Sequence, residues 1–512
     1  MRGLLLVVLA MGCGPKDDSP ADTTPDDTDS DDTDTDTDID TDTDTDSGIA
    51  CGSLLSATSF GGVQGDGDPI FANADDGTTY IASYFQGEVT FDAGGPAETT
   101  LVATGTLDTV LIRYSPTGAV DWVRQIGGTS TSSARGLTAL ADGVAIAGLY
   151  ADSTTISVGQ NDSVDLNTVG TTDAFVASFN GAGGLSWARG YGSGDLDFTE
   201  GVAALDDGSV IVVTTHNDDV TIGAGEPNET FIQLPLGAAG QISIVSFAGG
   251  NGNVQWVEKV TGDVTSKVDD VAADGNQLVV IGHVLGPNLA IFGASQPQAM
   301  NMQPLSYAGF VARYNTDATI MGLSEISGWG ADTISMADDG SALISGAFSG
   351  QAIFDVGNPG EVTLSSSATD IFVARYQATG VFLWAVKSET VPGGLTSPFD
   401  IQADSGGGAV VVGSLSSRAR FGKDEPNQAD LEAQGQWDGF AARYDSSGNL
   451  QCARQIGGDE MDASYAVIQR PDGTWDVGGF YSLSATVSLG EADAAALSAE
   501  GGTDIFRANY SF

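Results

Sequence analysis

Residues 333–346 read TISMADDGSALISG, and further along the same stretch residues 370–386 read DIFVARYQATGVFLWAV. These segments contain four short runs rich in Val, Ile, Phe, Tyr and Trp, separated by turn residues. Such runs predict four antiparallel β-strands. Asp339-Gly340 between the first two runs predicts a two-residue turn of type I′, which needs positive φ at both central residues. No segment shows a helical period, so we expect almost no helix.

The same unit recurs seven times along the chain. Its turn glycine recurs at a spacing of 65 to 67 residues, at Gly77, Gly143, Gly208, Gly275, Gly340, Gly407 and Gly473. Regular repetition of a β-unit at this period is typical of a β-propeller. The sequence therefore predicts an all-β fold over residues 51–512, with seven four-stranded blades of about 66 residues each.

The two ends of the repeat region complement each other. The seventh repeat stops at Phe512, after its third strand, and residues 52–62 match residues 448–458, a fourth-strand segment, in length and pattern. The N-terminal strand is therefore expected to complete the last blade and close the ring, which leaves no open gap in the array.

The repeat pattern carries a family resemblance. Asp-x-Phe-Val-Ala-Arg-Tyr, a turn glycine and then Trp-Ala-Arg and Gly-Gly resemble the bacterial seven-bladed β-propeller repeat family often labelled SBBP. The resemblance spans residues 51–512 and implies the fold, but it implies little about activity. The fourth repeat departs from the pattern, because Ala318 replaces the turn glycine and Met321-Gly322 stand where Trp is expected.

The chain begins with an export signal. Arg2 precedes an apolar run that ends at Ala10, and this run is too short to span a bilayer. Residues 10–13, Ala-Met-Gly-Cys, are similar to a bacterial lipobox, in which the cysteine is lipidated. We therefore interpret residues 1–12 as a lipoprotein signal peptide and Cys13 as the lipid attachment site; an ordinary signal peptide with an incidental Cys is the alternative. The protein would then be exported and lipid-anchored to the bacterial outer membrane or cell surface.

Residues 13–50 are dominated by Asp and Thr. A segment with little to bury and many like charges is expected to be a disordered, extended linker. The whole chain has a net charge of −51, which argues against nucleic acid as a partner, because phosphate binding needs a basic patch. The expected partners are the membrane, through the lipid, and an unknown protein or glycan.

Two further cysteines, Cys51 and Cys452, make an even pair in an exported, oxidising setting. A Cys51–Cys452 disulfide would tie the closing strand to the neighbouring blade, and two free thiols are the alternative.

Catalytic and metal-binding motifs are missing from the sequence. His216 and His283 are the only histidines, and no Cys-x-x-Cys, nucleophile-elbow or P-loop pattern accompanies them. We assign both histidines a structural or surface role and predict neither catalytic residues nor a cofactor.

Arginines on the third strands and tryptophans on the fourth strands recur in several repeats, and each set has two possible interpretations. The third-strand arginines could bind an anion or pair with carboxylates between strands or blades, and the fourth-strand tryptophans could stack on sugars or pack between blades. Recurrence around the ring favours the structural reading of both. The residues are Arg113, Arg313, Arg375 and Arg443, and Trp122, Trp187, Trp256 and Trp384.

Carboxylate pairs recur in the loops between blades. Their spacing could chelate calcium, although none forms a full loop such as an EF-hand, and solvated loop charge is the alternative. The candidates are Asp66, Asp68, Asp195, Asp197, Asp459 and Asp462.

These observations favour a surface-anchored, non-enzymatic binding or scaffold propeller with an unknown ligand. An exported propeller hydrolase or lyase acting on polysaccharide is the alternative, since two working carboxylates are conceivable on the face that carries these loop carboxylates. A purely structural surface component is a third reading.

Overall fold

A computed structural model describes residues 52–235, 240–262, 265–287 and 289–512. All regular elements within these ranges are β-strands, so the predicted all-β fold is confirmed. Cys13, Cys51, the signal peptide and the linker lie outside the described residues. In the described ranges, no helix is long and apolar enough to cross a membrane.

The strands follow one plan, repeat after repeat. The chain starts with β1 (Leu54–Phe60). Repeat 1 contains β2 (Gly67–Asn73), β3 (Thr79–Phe85), β4 (Glu88–Phe91), β5 (Thr99–Val102), β6 (Asp108–Tyr114) and β7 (Val120–Gly128). Repeat 2 contains β8 (Ser132–Leu140), β9 (Gly143–Tyr150), β10 (Ser153–Ile156), β11 (Val164–Asn167), β12 (Asp173–Phe179) and β13 (Leu185–Tyr191). Repeat 3 contains β14 (Asp197–Ala204), β15 (Val210–His216), β16 (Val220–Ile222), β17 (Thr230–Ile232), β18 (Gln241–Phe247), β19 (Val254–Lys259) and β20 (Thr261–Gly262).

The later repeats keep this order, and in two of them neighbouring strands merge. Repeat 4 contains β21 (Thr265–Ala273), β22 (Gln277–Leu285), β23 (Ala290–Phe292), β24 (Met300–Met302), β25 (Tyr307–Asn315) and β26 (Ile320–Ser327). Repeat 5 contains β27 (Thr333–Met336), β28 (Ala342–Phe354), β29 (Val362–Tyr376), β30 (Phe382–Lys387) and β31 (Glu389–Thr390). Repeat 6 contains β32 (Thr396–Ala403), β33 (Ala409–Leu415), β34 (Ala419–Phe421), β35 (Ala429–Leu431), β36 (Asp438–Tyr444) and β37 (Leu450–Gly457). Repeat 7 contains β38 (Asp462–Gln469), β39 (Trp475–Val487) and β40 (Ala495–Tyr510).

Each of the first six repeats builds a four-stranded antiparallel sheet. In repeat 2 the strand order is β13-β12-β9-β8, so chain neighbours pair in an up-and-down meander. All seven residues of β12 are buried, which explains why third strands read as continuous apolar runs. Val176 of repeat 2 packs with Val212 of repeat 3 in one core cluster, so the core lies between sheets. Stacked antiparallel sheets of this kind give the chain a propeller-like fold.

The two ends of the repeat region meet in one sheet. Strand β1 pairs with β40, with Leu54 opposite Tyr510 and Phe60 opposite Ile505. The first strand of each repeat also contacts the first strands of its neighbours, and β2 contacts both β8 and β38. Phe71 of repeat 1 shares a core cluster with Ile468 of repeat 7.

The segment between the second and third strands forms a hairpin in every repeat, which the sequence analysis did not predict. We call it the clasp hairpin, because its first arm pairs with the end of the fourth strand of the preceding repeat. Ile156 of β10, for example, lies opposite Ile126 of β7. The clasp hairpin of repeat 1 meets the segment that follows β1, through a bridge between Val89 and Gly62. Neighbouring sheets are thus linked by backbone hydrogen bonds as well as by apolar packing.

The turn between the first and second strands differs from the type I′ prediction. In repeat 5 the Gly340 amide donates to the Ala337 carbonyl at 2.8 Å and the Ala337 amide donates to Ser341 at 2.9 Å. Only Gly340 has positive φ, at +74°. This is a three-residue loop, a type I turn followed by a left-handed glycine, so the predicted type I′ turn is wrong. In a different turn, between the third and fourth strands of repeat 4, Ala318 takes the place of glycine and itself adopts the left-handed conformation, with φ of +69°.

Candidate functional site

The predicted calcium ligands lie where one repeat leads into the next, and the members of each pair face different surroundings. One carboxylate of each pair is fully buried, immediately before the first strand of the following repeat at Asp66 and at its first residue at Asp197 and Asp462, with exposed fractions of 1%, 0% and 0%. The other members are half-buried at Asp68 and exposed at Asp195 and Asp459. The pairs therefore do not present two carboxylates side by side to solvent.

The buried carboxylates hold their loops through backbone amides. Asp66 accepts hydrogen bonds from Gly62 at 2.7 Å and from Gln86 at 3.2 Å. Asp462 accepts the equivalent bonds from Gly458 and Ser482, at 2.7 and 3.1 Å. Burial raises the pKa of both carboxyls to about 7, because desolvation outweighs the stabilising hydrogen bonds. Both oxygens of each group are thus engaged by the fold.

Within the described ranges, no group of three or more His, Cys, Asp or Glu side chains is arranged to hold a metal ion. Calcium binding by the loop carboxylates stays a prediction from sequence spacing.

His216 lies in a buried hydrogen-bond chain that joins three strands of repeat 3. Its Nδ1 lies 2.7 Å from Asp197 Oδ1 and its Nε2 lies 2.8 Å from Ser243 Oγ. The order Ser, His, Asp is that of a hydrolytic triad. All three side chains are fully buried, however, so the Ser243 hydroxyl is shielded from any substrate. The arrangement therefore agrees with the structural role that the sequence analysis assigned to His216.

A more accessible polar cluster surrounds His283. Its Nδ1 lies 2.8 Å from Asp269 Oδ2, and Lys267 Nζ lies 3.0 Å from Asp269 and 3.1 Å from Glu200. Burial opposes ionisation of Asp269, but the His283 hydrogen bond and the Lys267 charge bring its pKa below the ordinary value. The ring of Tyr307 stacks on His283 with centroids 5.0 Å apart. The cluster joins the first strands of repeats 3 and 4, on which Glu200 and Asp269 lie.

Glu200 and Asp269 belong to a wider pattern of β-bulges. The pairing of first and second strands shifts register at an equivalent point in six repeats, and the residues left between paired positions include Arg135, Glu200, Asp269, Phe399 and Tyr465. Bulges re-aim side chains and are frequent next to functional sites. Phe399 and Tyr465 stack across neighbouring repeats with centroids 4.3 Å apart and planes 11° apart. We take this bulge ring, charged in repeats 2 to 4 and aromatic in repeats 6 and 7, as the candidate functional site.

Two of the four third-strand arginines pair with carboxylates in the turn between the first and second strands, whereas Arg113 pairs with Asp121 on the fourth strand. Arg375 lies 2.7 Å from Asp339, and Arg443 lies 3.2 Å from Asp404. The structural reading of these arginines agrees with this geometry.

The four repeated tryptophans pack between repeats, as predicted. Each indole Nε1 donates to a carbonyl in the turn between the third and fourth strands of the next repeat: Trp122 to Gly181 at 3.1 Å, Trp187 to Gly249 at 2.7 Å, Trp256 to Thr316 at 3.1 Å and Trp384 to Ser446 at 3.0 Å. The turn glycine lies flat against the ring. A Cβ on Gly252 would come within 2.4 Å of Trp187.

Cys452 is disulfide-bonded and buried. Its predicted partner, Cys51, lies outside the described residues, so the Cys51–Cys452 pairing stays a prediction.

Comparison with known proteins identifies no family. No protein-family model matches the chain, and no curated protein matches it. Similar solved structures include the Dos1 propeller, at 9% identity over 90% of this chain and 96% of that one, with a TM-score of 0.39. The quinohemoprotein alcohol dehydrogenase ADHIIG of Pseudomonas putida HK5 is similar at 10% identity over 91% and 77%, with a TM-score of 0.36. A protein of unknown function from Dyadobacter fermentans is similar at 9% identity over 89% and 98%, with a TM-score of 0.37. At such low identities these likenesses say nothing about activity.

Proposed function

We propose that the described chain is a closed ring of seven four-stranded blades, completed by the N-terminal strand. The contacts of β2 with both β8 and β38 support closure, because an open array would leave β2 with one neighbouring first strand. The pairing of β1 with β40 supports it independently, since the two strands come from opposite ends of the repeat region.

This ring is, in our proposal, an exported, lipid-anchored binding or scaffold module that works without catalysis. The observation that carries the proposal is the burial of Asp197, His216 and Ser243. A triad-like set enclosed on all sides stabilises strands instead of attacking a substrate. The loop carboxylates Asp66 and Asp462 are likewise used to bind backbone amides.

Anchoring and export rest on the leader sequence. Cys13 follows a short apolar run, and residues 13–50 are long and acidic enough to act as an extended stalk. The partner would be a protein or glycan outside the cell, and the strong negative charge disfavours nucleic acid.

The catalytic question is tested by incubating the purified protein with a panel of polysaccharides and measuring new reducing ends. We expect binding without turnover. Turnover that Glu200→Gln abolishes would contradict the proposal, because Glu200 is a carboxylate of the bulge ring. Asp459→Asn is the matched control, since Asp459 is exposed in a loop away from the bulges.

The anchor is tested by cell fractionation. Cys13→Ser should move the protein from membrane to soluble fractions, while Cys452→Ser should leave the membrane association intact. Unaltered fractionation of Cys13→Ser would contradict the lipid anchor.

A further inference from the structure

The closing strand β1 lacks the tryptophan with which the fourth strands of repeats 1, 2, 3 and 5 contact the next repeat. In repeat 1 Trp122 lies opposite Arg113, the residue before the last tyrosine of the third strand. At the same register in repeat 7, Ser56 lies opposite Asn509. No residue of β1 is buried, whereas five of the nine residues of β7 are. At the Ser56 register, β1 therefore leaves the facing turn of repeat 1 uncovered.

The missing indole leaves a cleft. The turn of repeat 1 that would receive it contains Gly118, where an added Cβ would meet no atom within 4 Å. The equivalent Gly183 and Gly252 lie against tryptophan rings, at 2.9 and 2.4 Å. The space between repeats 7 and 1 measures about 810 Å³. We call it the junction cleft, and its walls include Ser56, Thr58, Phe60, Tyr114, Gly118 and Asp504. Its volume falls in the range of small-molecule sites.

A second position on β1 carries a shorter side chain than its equivalents in other repeats, and this leaves one oxygen of the buried Asp504 carboxylate without a hydrogen-bond partner. In repeat 1 Gln125 donates to Asp108 at 2.6 Å, and Gln455 does the same for Asp438 in repeat 6. The residue at that register on β1 is Ser59, which lies opposite Phe506, two positions after Asp504.

Asp504 is 2% exposed, and within the described residues no donor reaches its Oδ1. This oxygen lies against Gly61, another residue of the cleft wall, where an added Cβ would come within 2.3 Å. A buried acceptor left unpaired costs free energy that a ligand donor can recover.

The remaining walls combine acceptors, hydroxyls and an aromatic ring. Glu88 and Glu500 are exposed at the cleft and Thr58 contributes a hydroxyl. The two arginines of the cleft, Arg470 and Arg507, are engaged by Asp476 at 2.8 and 2.7 Å. The charge that remains available in the cleft is therefore mainly that of the carboxylates, and this negative charge disfavours anionic ligands.

We infer that the junction cleft binds a neutral oligosaccharide. Sugar hydroxyls would donate to Asp504 and Glu500 and accept from the wall hydroxyls. This inference rests on the proposed binding function and adds to it a place and a ligand class.

The test is isothermal titration calorimetry of the full chain with cellotriose, maltotriose and chitotriose. At least one trisaccharide should bind. Ser56→Trp restores the indole found in other repeats and should weaken binding at least about tenfold without lowering the melting temperature. Leu55→Trp is the matched control, because Leu55 is exposed on the same strand and lies outside the cleft wall; it should bind as the native chain does.

Asp504→Asn provides a second variant in case Ser56→Trp does not fold. It exchanges a carboxylate oxygen for an amide and should also weaken binding about tenfold. Binding of none of the three sugars overturns the inference, and so does undiminished binding by both variants; the latter result leaves the general binding function standing. Cleavage of a bound sugar that Ser56→Trp abolishes supports the cleft and contradicts the non-enzymatic function.

Discussion

The indole Nε1 of Trp187 donates a 2.7 Å hydrogen bond to the carbonyl oxygen of Gly249, which lies 62 residues further along the chain in the next repeat. The same ring packs on Gly252 of that turn. One side chain thus joins two sheets by a polar and an apolar contact. The other three repeated tryptophans make the same bond, so this contact is a recurring element of the fold.

Gly252→Ala should destabilise the protein more than Gly118→Ala does. Both glycines have positive φ, at +67° and +84°, so both variants carry a backbone cost of about 1–2 kcal/mol. Only the alanine at 252 also meets the ring of Trp187, which adds about 1–3 kcal/mol of overpacking. Thermal melting of the two variants measures the difference. Equal melting temperatures would show that the indole does not restrict the turn.

Non-reducing peptide mapping should find Cys51 linked to Cys452. Cys452 lies opposite Arg443, at the register that Trp122 occupies in repeat 1, so it faces the turn of repeat 7. That turn is formed by the two ends of the repeat region, held by a 3.0 Å bond from the Ser511 amide to the Ser53 carbonyl. The disulfide would take the place of the tryptophan contact where the ring is joined.

Loss of this bond in Cys452→Ser should cost about 2–5 kcal/mol of stability. Reductant should lower the melting temperature of the native chain and leave that of the variant unchanged. A Cys13–Cys452 peptide in the map would contradict the assignment.

The Asp462 carboxyl should make stability depend on pH. Burial raises its folded-state pKa to about 7, above its ordinary value of 3.8. The protonated carboxyl therefore contributes to the free energy of unfolding at pH values below the ordinary pKa. This contribution, at most about 4 kcal/mol, is lost as the pH rises through 7.

The melting temperature of Asp462→Asn should accordingly improve, relative to the native chain, between pH 4 and 7. The variant Asp459→Asn, at an exposed position in the same loop, should follow the native curve. A difference between Asp462→Asn and the native chain that stays constant with pH would refute the assignment.

Removing residues 52–62 should prevent cooperative folding. β40 would lose its partner β1 and would become an exposed edge, and the Val89–Gly62 bridge to the clasp hairpin of repeat 1 would be lost. Circular dichroism and thermal melting of the truncated chain test this. A melting transition like that of the native chain would mean that β1 contributes nothing to the sheet.

The sequence predicts the strands well, because each repeat combines apolar runs with a glycine that needs positive φ. Gly340 and its equivalents mark the turns, although the loop is one residue longer than the predicted type I′ turn. The clasp hairpins could not be predicted from the sequence, because their arms are only a few residues long and mix buried with exposed residues, as in Val220–Ile222. Their pairing with the preceding repeat also depends on the folded arrangement.

The candidate site is harder to predict, because its residues are defined by β-bulges. One extra residue, such as Glu200 between Thr199 and Gly201, shifts the strand alternation without any local sequence signal. The Asp197–His216–Ser243 hydrogen-bond chain could not be predicted from the sequence for another reason. Its members lie on three different strands and meet only through the pairing of β14, β15 and β18. The spacing of the loop carboxylates suggested metal ligands, whereas Asp66 and Asp462 bind backbone amides.

Hydrogen–deuterium exchange of the β1 amides tests ring closure most directly. If residues 54–60 complete the last sheet, their paired amides should be protected to the same degree as those of residues 505–510 and should open together with them. Exchange of residues 54–60 at the rate of an unstructured peptide, beside protected residues 505–510, would contradict the closed ring.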